Sequence, residues 1–267
     1  MSDAFSQVIV VTSGKGGVGK TTTTANIGVA LSLLGKKVVL IDTDIGLRNL
    51  DVSLGLENRI VYDLVDVLTG VCDVKDALIK DKRYEGLYFI PASQTSDKDA
   101  DLTFEMKKLC LKLKGEFDFI IIDCPAGIEQ GFKNAIAGAE DAIVVSTPDN
   151  SSLRDADRIV GLLEENGISG YALLVNRIRP EMVKRGDMLN IDEIIELLGI
   201  NLVGVIPDDE KVIVSSNKGE QVVLDKKSVA GKGYMNVARR LTGENVQLMD
   251  FKEKGFFKKL RRGFSSK

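Results

Sequence analysis

The chain has 267 residues, a formal charge of −3, 44% hydrophobic and 28% charged residues. That balance excludes wholesale disorder, a collagen-like fibre and a disulfide-stapled miniprotein, and no window holds the roughly 18 consecutive apolar residues of a membrane-spanning helix. Histidine is absent, which removes Ser-His-Asp hydrolysis, Cys-His proteolysis and His-ligated metal chemistry. The three cysteines, Cys72, Cys110 and Cys124, are scattered without C-x-x-C spacing, as expected for a reduced cytoplasmic protein. The start, MSDAFSQVIVVTSG, has neither a basic n-region leading into an apolar h-region nor the look of a transit peptide.

Charge is distributed unevenly. From residue 252 to 267 seven basic residues face Glu253 alone, a local charge of +6, so the first 251 residues carry −9. An acidic body with a short basic tail predicts a separate, anionic partner for the tail.

In chain order, β-branched apolar runs are expected to form strands at 8–12, 38–41, 87–90, 119–122, 142–145, 171–175 and 202–206. They are nearly continuous in apolar character, as parallel strands covered on both faces are. Helical segments such as 21–34, 132–137, 152–165 and 191–198 lie between them. The alternation predicts a single doubly wound, mostly parallel α/β sheet with helices on both faces. The domain is expected to cover 1–245, followed by a linker at 246–254 and an amphipathic helix at 255–267.

Directly after the first run, Gly14-Lys15-Gly16-Gly17-Val18-Gly19-Lys20-Thr21 fits the phosphate loop G-x-x-x-x-G-K-[ST] and opens the first helix. Glycines let backbone N–H groups turn inward around phosphate oxygens, and the helix N-terminus adds partial positive charge there. Lys20 is expected to reach the β- and γ-phosphates and the Thr21 hydroxyl to coordinate Mg²⁺. Lys15 is not required by an ordinary loop of this kind; it is either surface charge or a second cation for a transferring phosphoryl group.

Further along, Asp42 and Asp44 follow the second run and Asp123 ends the fourth. Ligands of open α/β sheets sit beyond the carboxyl ends of strands, which places these carboxylates beside the loop. Burying such a group is costly without a partner, and Mg²⁺ with its waters supplies one. Asp123 is expected as the Walker B residue, while Asp42 and Asp44, two apart on a continuing strand, would face the same way. Gly127, just past Pro125, suits a loop that senses the γ-phosphate. Asn176 closes the sixth run, and Pro207 and Asp208 follow the seventh; an asparagine amide has the donor and acceptor to pair with a base edge.

In the tail, Phe256, Phe257, Leu260 and Phe264 fall within one arc of a helix, while Lys258, Lys259, Arg261 and Arg262 cover the rest. Bulky apolar groups opposite Lys and Arg describe a helix lying in an anionic membrane surface. The same face disfavours nucleic acid as the partner.

The stretch K-G-G-V-G-K-T-T at 15–22, which extends the loop to Thr22, resembles the deviant Walker A motif of the MinD/ParA/nitrogenase-iron-protein class. D-T-D-I-G-L-R-N-L-D at 42–51, I-D-C-P-A-G-I-E at 122–129, S-L-R-D-A-D-R at 152–158 and the basic aromatic tail narrow the likeness to the septum-site-determining MinD family, along nearly the whole chain. The resemblance implies an ATPase with Mg²⁺ that forms a homodimer in its ATP state, with Lys15 reaching the partner's phosphates. It gives Asp42 the support of metal-bound waters and Asp44 the attacking water, and it places adenine at Asn176, Pro207 and Asp208. It also implies a peripheral location on the inner membrane face, recruitment of the division inhibitor MinC, and stimulation by MinE. Arg154, Asp155 and Asp157 are then expected at the dimer surface. Two relatives share the loop: a ParA-type DNA-partitioning ATPase, against which the acidic body argues, and a flagellar-number regulator, which also ends in an amphipathic helix.

Overall fold

In the computed structural model, which describes residues 6–97 and 99–249, the central strands are buried along their whole length. Every residue of β2 (Val38–Asp42) and β5 (Phe119–Asp123) is buried, and β1 (Gln7–Thr12) is buried from Val8 onward. Their side chains alternate between two cores, one on each face of the sheet. Val8, Val10, Val39, Ile41, Ile120 and Ile122 face a layer formed by the helices Thr103–Lys114, Gln130–Ile136 and Asn150–Glu165. Ile9, Val11, Val38, Leu40 and Ile121 face α1 (Lys20–Leu33) and the helices Asn49–Leu54 and Val229–Leu241. Because both faces are covered, the strands read as unbroken apolar runs.

The remaining strands are β3 (Ile79–Lys80), β4 (Leu87–Ile90), β6 (Asp141–Ser146), β7 (Gly170–Ile178) and β8 (Leu202–Pro207). The eight-stranded sheet has the order β3-β4-β2-β5-β1-β6-β7-β8, parallel except for β3 at the edge. This is the expected doubly wound α/β architecture. The two-residue β3 was not expected; it is too short to carry any periodic signal.

The order fixes where a site can form. The chain leaves β1, passes over β5 to reach β2, and later returns to place β5 between them. Val11 and Asp42 each pair with Asp123, so the carboxyl ends of β1, β2 and β5 lie level. One expectation is corrected here. The second strand does not continue to Asp44: it stops at Asp42, whose carboxylate accepts the Asp44 N–H at 2.9 Å and the Leu50 N–H at 3.3 Å. The chain therefore turns toward the helix Asn49–Leu54, and the alternation that would align Asp42 with Asp44 does not apply.

Among the described residues no helix is long and apolar enough to cross a membrane. The expected membrane-binding residues, Phe256 to Phe264, lie outside the described residues, as does most of the expected linker.

Candidate active site

The loop between β1 and α1 is shaped by its glycines. Gly17 and Gly19 adopt φ of 76° and 102°, a region open to glycine at little cost. Gly14 is required for a different reason. A Cβ there would lie 2.4 Å from the carbonyl oxygen of Asp155, so the helix Asn150–Glu165 packs directly on the loop backbone.

At the start of α1, Gly19 occupies the N-cap and supplies no side-chain acceptor, and the first turn holds no acidic residue. The N–H groups at this helix end are thus left for an anion from outside the helix. Lys20 is 7% exposed, and its Nζ donates to Ser13 Oγ at 2.9 Å; Ser13 Oγ in turn donates to the Lys15 carbonyl at 2.7 Å. The amine is therefore folded back across the loop, inside the phosphate cradle. Lys15, by contrast, is exposed, as are Gly16 and Gly17, while Val18 is buried and Thr21 and Thr22 are half-buried.

Opposite the loop, Asp123 is 1% exposed and accepts a hydrogen bond from Thr24 Oγ1 at 3.1 Å. Burial pushes its carboxyl up to about 6, against the opposing pull of Thr21, Lys20 and Thr24. Asp42, also 1% exposed, is held well above the usual carboxylate range by burial and then by the charge of Asp123 across the strand pair. Asp44 is half-buried and raised by burial, with Lys20 pulling the other way. Thus two buried carboxylates repel one another beside a threonine hydroxyl, a set of hard oxygen donors that suits Mg²⁺. Among the described residues no group of three or more acidic, cysteine or histidine side chains is arranged to hold a metal alone. A Mg²⁺ here would draw its other ligands from phosphate oxygens and water.

At the ends of β7 and β8, Asn176 is 5% exposed, and its Nδ2 donates to the Val18 carbonyl at 2.7 Å. Asp208 pairs with Arg179 at 2.6 Å, and Pro207 is the last residue of β8. The loop after β5 flanks the phosphate loop: Ala126 Cβ lies 3.8 Å from where a Cβ on Gly16 would stand, and Gly127 has φ of 100°. Of the helix residues expected at a dimer surface, Arg154 and Asp157 are exposed and Asp155 is half-buried against Gly14. Asp149, the N-cap of that helix, feels burial first, but the Thr147 hydroxyl, the Ser152 N–H and the charge of Lys15 together hold it below its ordinary value.

The structure therefore gathers Gly14 to Thr22, Asp42, Asp44, Asp123 and Asn176 at one end of the sheet. Sequence reasoning missed Ser13, Thr24 and Asp149. Ser13 and Thr24 flank the motif, and a run of four threonines after Lys20 was the available hint; Asp149 is recognisable only once its helix is seen to abut the loop.

Known proteins resemble this chain in sequence and in fold. A family model described as an AAA domain matches residues 6–166. The chain is 56% identical over 97% of its length to the septum site-determining protein MinD of Bacillus subtilis, covering 98% of that protein. It is 51% identical over 96% of its length to the protein of the same name from Thermotoga maritima, covering 99% of it. Among solved structures, the MinC:MinD cell division protein complex of Aquifex aeolicus superimposes with a TM-score of 0.86 at 50% identity, covering 92% of this chain and 99% of that one. The MinD protein of Pyrococcus horikoshii complexed with Mg-ADP superimposes at 0.80 with 28% identity, covering 88% and 96%.

Proposed function

Because the chain belongs to the MinD family of septum site-determining ATPases, we propose that its loop binds Mg-ATP, that ATP pairs two copies, and that the pair holds the membrane. The observation that carries this reading is the cradle itself: Lys20 bound to Ser13 at the uncapped start of α1, beside the buried Asp123.

Each residue has a defined task. Backbone N–H groups of the loop and the Lys20 amine neutralise phosphate oxygens, and Thr21 and Asp123 would hold Mg²⁺. The metal, when bound, neutralises charge that builds on the phosphoryl oxygens. Asp42 would support Mg²⁺ from behind Asp123, and Asp44, half-buried near Lys20, orients the attacking water. Asn176, Pro207 and Asp208 frame the adenine. Lys15 is exposed and acts across the dimer on the partner's phosphates, in the manner of an arginine finger.

The tail supplies the membrane contact. Each basic residue near an anionic surface contributes about 1 kcal/mol and a short apolar face a few more. Against the cost of ordering a short helix, one tail is a marginal anchor, whereas two on a dimer gain avidity. ATP thereby controls membrane residence. MinC recruitment uses the exposed face around Arg154 and Asp157, where MinE stimulates hydrolysis; the existence of a MinC:MinD complex from a 50% identical relative supports the first of these.

Sedimentation tests the reading. The full chain is mixed with anionic phospholipid vesicles, or separately with duplex DNA, under ADP, ATP and a non-hydrolysable analogue. ATP and the analogue are expected to carry it down with vesicles, ADP is not, and DNA leaves it in solution. Deleting residues 255–267 abolishes vesicle binding and spares lipid-free hydrolysis. Equal vesicle binding with every nucleotide, or ATP-dependent DNA binding, overturns the reading.

A further inference from the structure

We propose that Asn176 is a positioning residue for the phosphate loop: it braces the loop from the end of β7, so that its loss weakens phosphate binding whatever base the ligand carries. The inference rests on the reading of the loop as a phosphate site and adds to it a brace from a distant strand. Asn176 Nδ2 donates to the Val18 carbonyl at 2.7 Å, a contact between residues 158 positions apart. The amide end of the side chain also abuts the next residue of the loop, since a Cβ on Gly19 would stand 2.4 Å from Nδ2. Both partners are buried, Asn176 at 5% and Val18 at 3% exposure.

The brace has its own support. Asn176 Oδ1 accepts the N–H of Arg177 at 3.0 Å. Arg177 has a left-handed φ of 58°, and the pairing of β7 with β8 shifts register between Asn176 and Ile178. This irregularity turns the backbone where the amide closes onto it, and a non-glycine residue is held in a sparsely populated region to allow it.

The loop has few other anchors. Its remaining side-chain hydrogen bonds, Lys20 to Ser13 and Ser13 to the Lys15 carbonyl, are internal. Among the described residues, Asn176 supplies the side-chain hydrogen bond that reaches the 13–19 backbone from a distant strand. It bonds the residue just before the αL glycine that opens α1, where the peptide orientation decides whether N–H groups face a phosphate. An amide has two N–H donors and two acceptor sites; the protein consumes one of each, which leaves one of each for a base.

The test uses a ligand without a base. Binding of Mg-pyrophosphate and of Mg-ADP to the full-length wild type, Asn176→Ala and Asn176→Asp is measured by calorimetry, with thermal unfolding of the ligand-free proteins alongside. Removing the donor leaves a buried carbonyl unsatisfied, so Asn176→Ala is expected to lose about tenfold in affinity. The loss should appear with pyrophosphate, which has no base to contact, and ADP, whose adenine Asn176 also frames, should lose at least as much. Asn176→Asp has the same shape but sets a carboxylate oxygen against the Val18 carbonyl, and it should lose more. Weakened ADP binding with unchanged pyrophosphate binding would confine Asn176 to the base and overturn the proposal, as would affinities unchanged for both. Should Asn176→Ala fail to fold, Asn176→Ser, polar but too short to reach Val18, takes its place with the same two outcomes. A wild type that binds neither ligand refutes the phosphate site itself, a result separable from the failure of the brace.

Discussion

Asp123→Asn separates what the buried carboxylate costs the fold from what it gives the chemistry. Asp123 is fully enclosed, and burial raises its carboxyl from an ordinary 3.8 to about 6. A carboxyl raised in this way contributes its stability below about pH 4, and that contribution is lost as pH climbs through 6. The displacement corresponds to about 3 kcal/mol against the ligand-free fold at neutral pH. Asparagine keeps the acceptor used by Thr24 and carries no charge, and it also relieves Asp42 of the repulsion that helps raise it. Without nucleotide or Mg²⁺ at pH 7.5, the variant is expected to unfold at a higher temperature than wild type, by about 2–4 °C for each kcal/mol recovered. The gap should close as pH falls toward 4. Mg²⁺-dependent hydrolysis should meanwhile drop by about 10- to 100-fold, the usual loss when an outer metal partner is removed. Differential scanning calorimetry across pH, paired with phosphate release, reads both effects. A ligand-free variant less stable than wild type at pH 7.5, a gap indifferent to pH, or undiminished hydrolysis refutes the reasoning.

Substituting Lys15 with alanine should lower ATP turnover at least tenfold while ADP binding, followed by calorimetry, changes little, because its amine lies outside the cradle that Lys20 fills; equal losses would undo its assignment to the partner's phosphates. Gly14→Ala should both destabilise the fold, by about 1–3 kcal/mol on denaturant titration, and weaken nucleotide binding. The added methyl meets backbone and side-chain atoms of Asp155 at 2.4–2.6 Å, and unchanged stability would mean that the helix yields without cost.

How much of this was legible depended on whether a feature is local. The strands at 38–41 and 119–122 were readable because burial on both faces leaves no room for polar alternation. The helix Val229–Leu241 is hidden in the sequence: Gly231 and Gly233 disguise it, and both are there because a neighbour is close, a Cβ on Gly231 falling 2.4 Å from the Val222 carbonyl. Local spacing gave away the phosphate loop as well, since its chemistry is written in consecutive residues. Ser13 is the opposite case. Nothing in a serine before a glycine announces that it will hold the Lys20 amine, because that contact exists only after the loop has closed.

Two lysines five residues apart then acquire opposite characters from a single loop. The turn through Gly17 and Gly19 carries Lys20, 7% exposed, inward, where Ser13 accepts a hydrogen bond from its amine. The same turn leaves Lys15 on the outer rim, its carbonyl engaged by Ser13 and its side chain in solvent near Asp149. An amine in water is strongly screened and gains little from a phosphate of its own subunit; enclosed between two subunits it would act in a far lower dielectric. Lowering the dielectric around Lys15 requires a second surface, and the helix that packs on Gly14, with exposed Arg154 and Asp157, lies beside it. On the proposed reading, dimerisation is therefore what converts an idle surface charge into part of the hydrolytic site, which is why hydrolysis and membrane residence are tied to the same event.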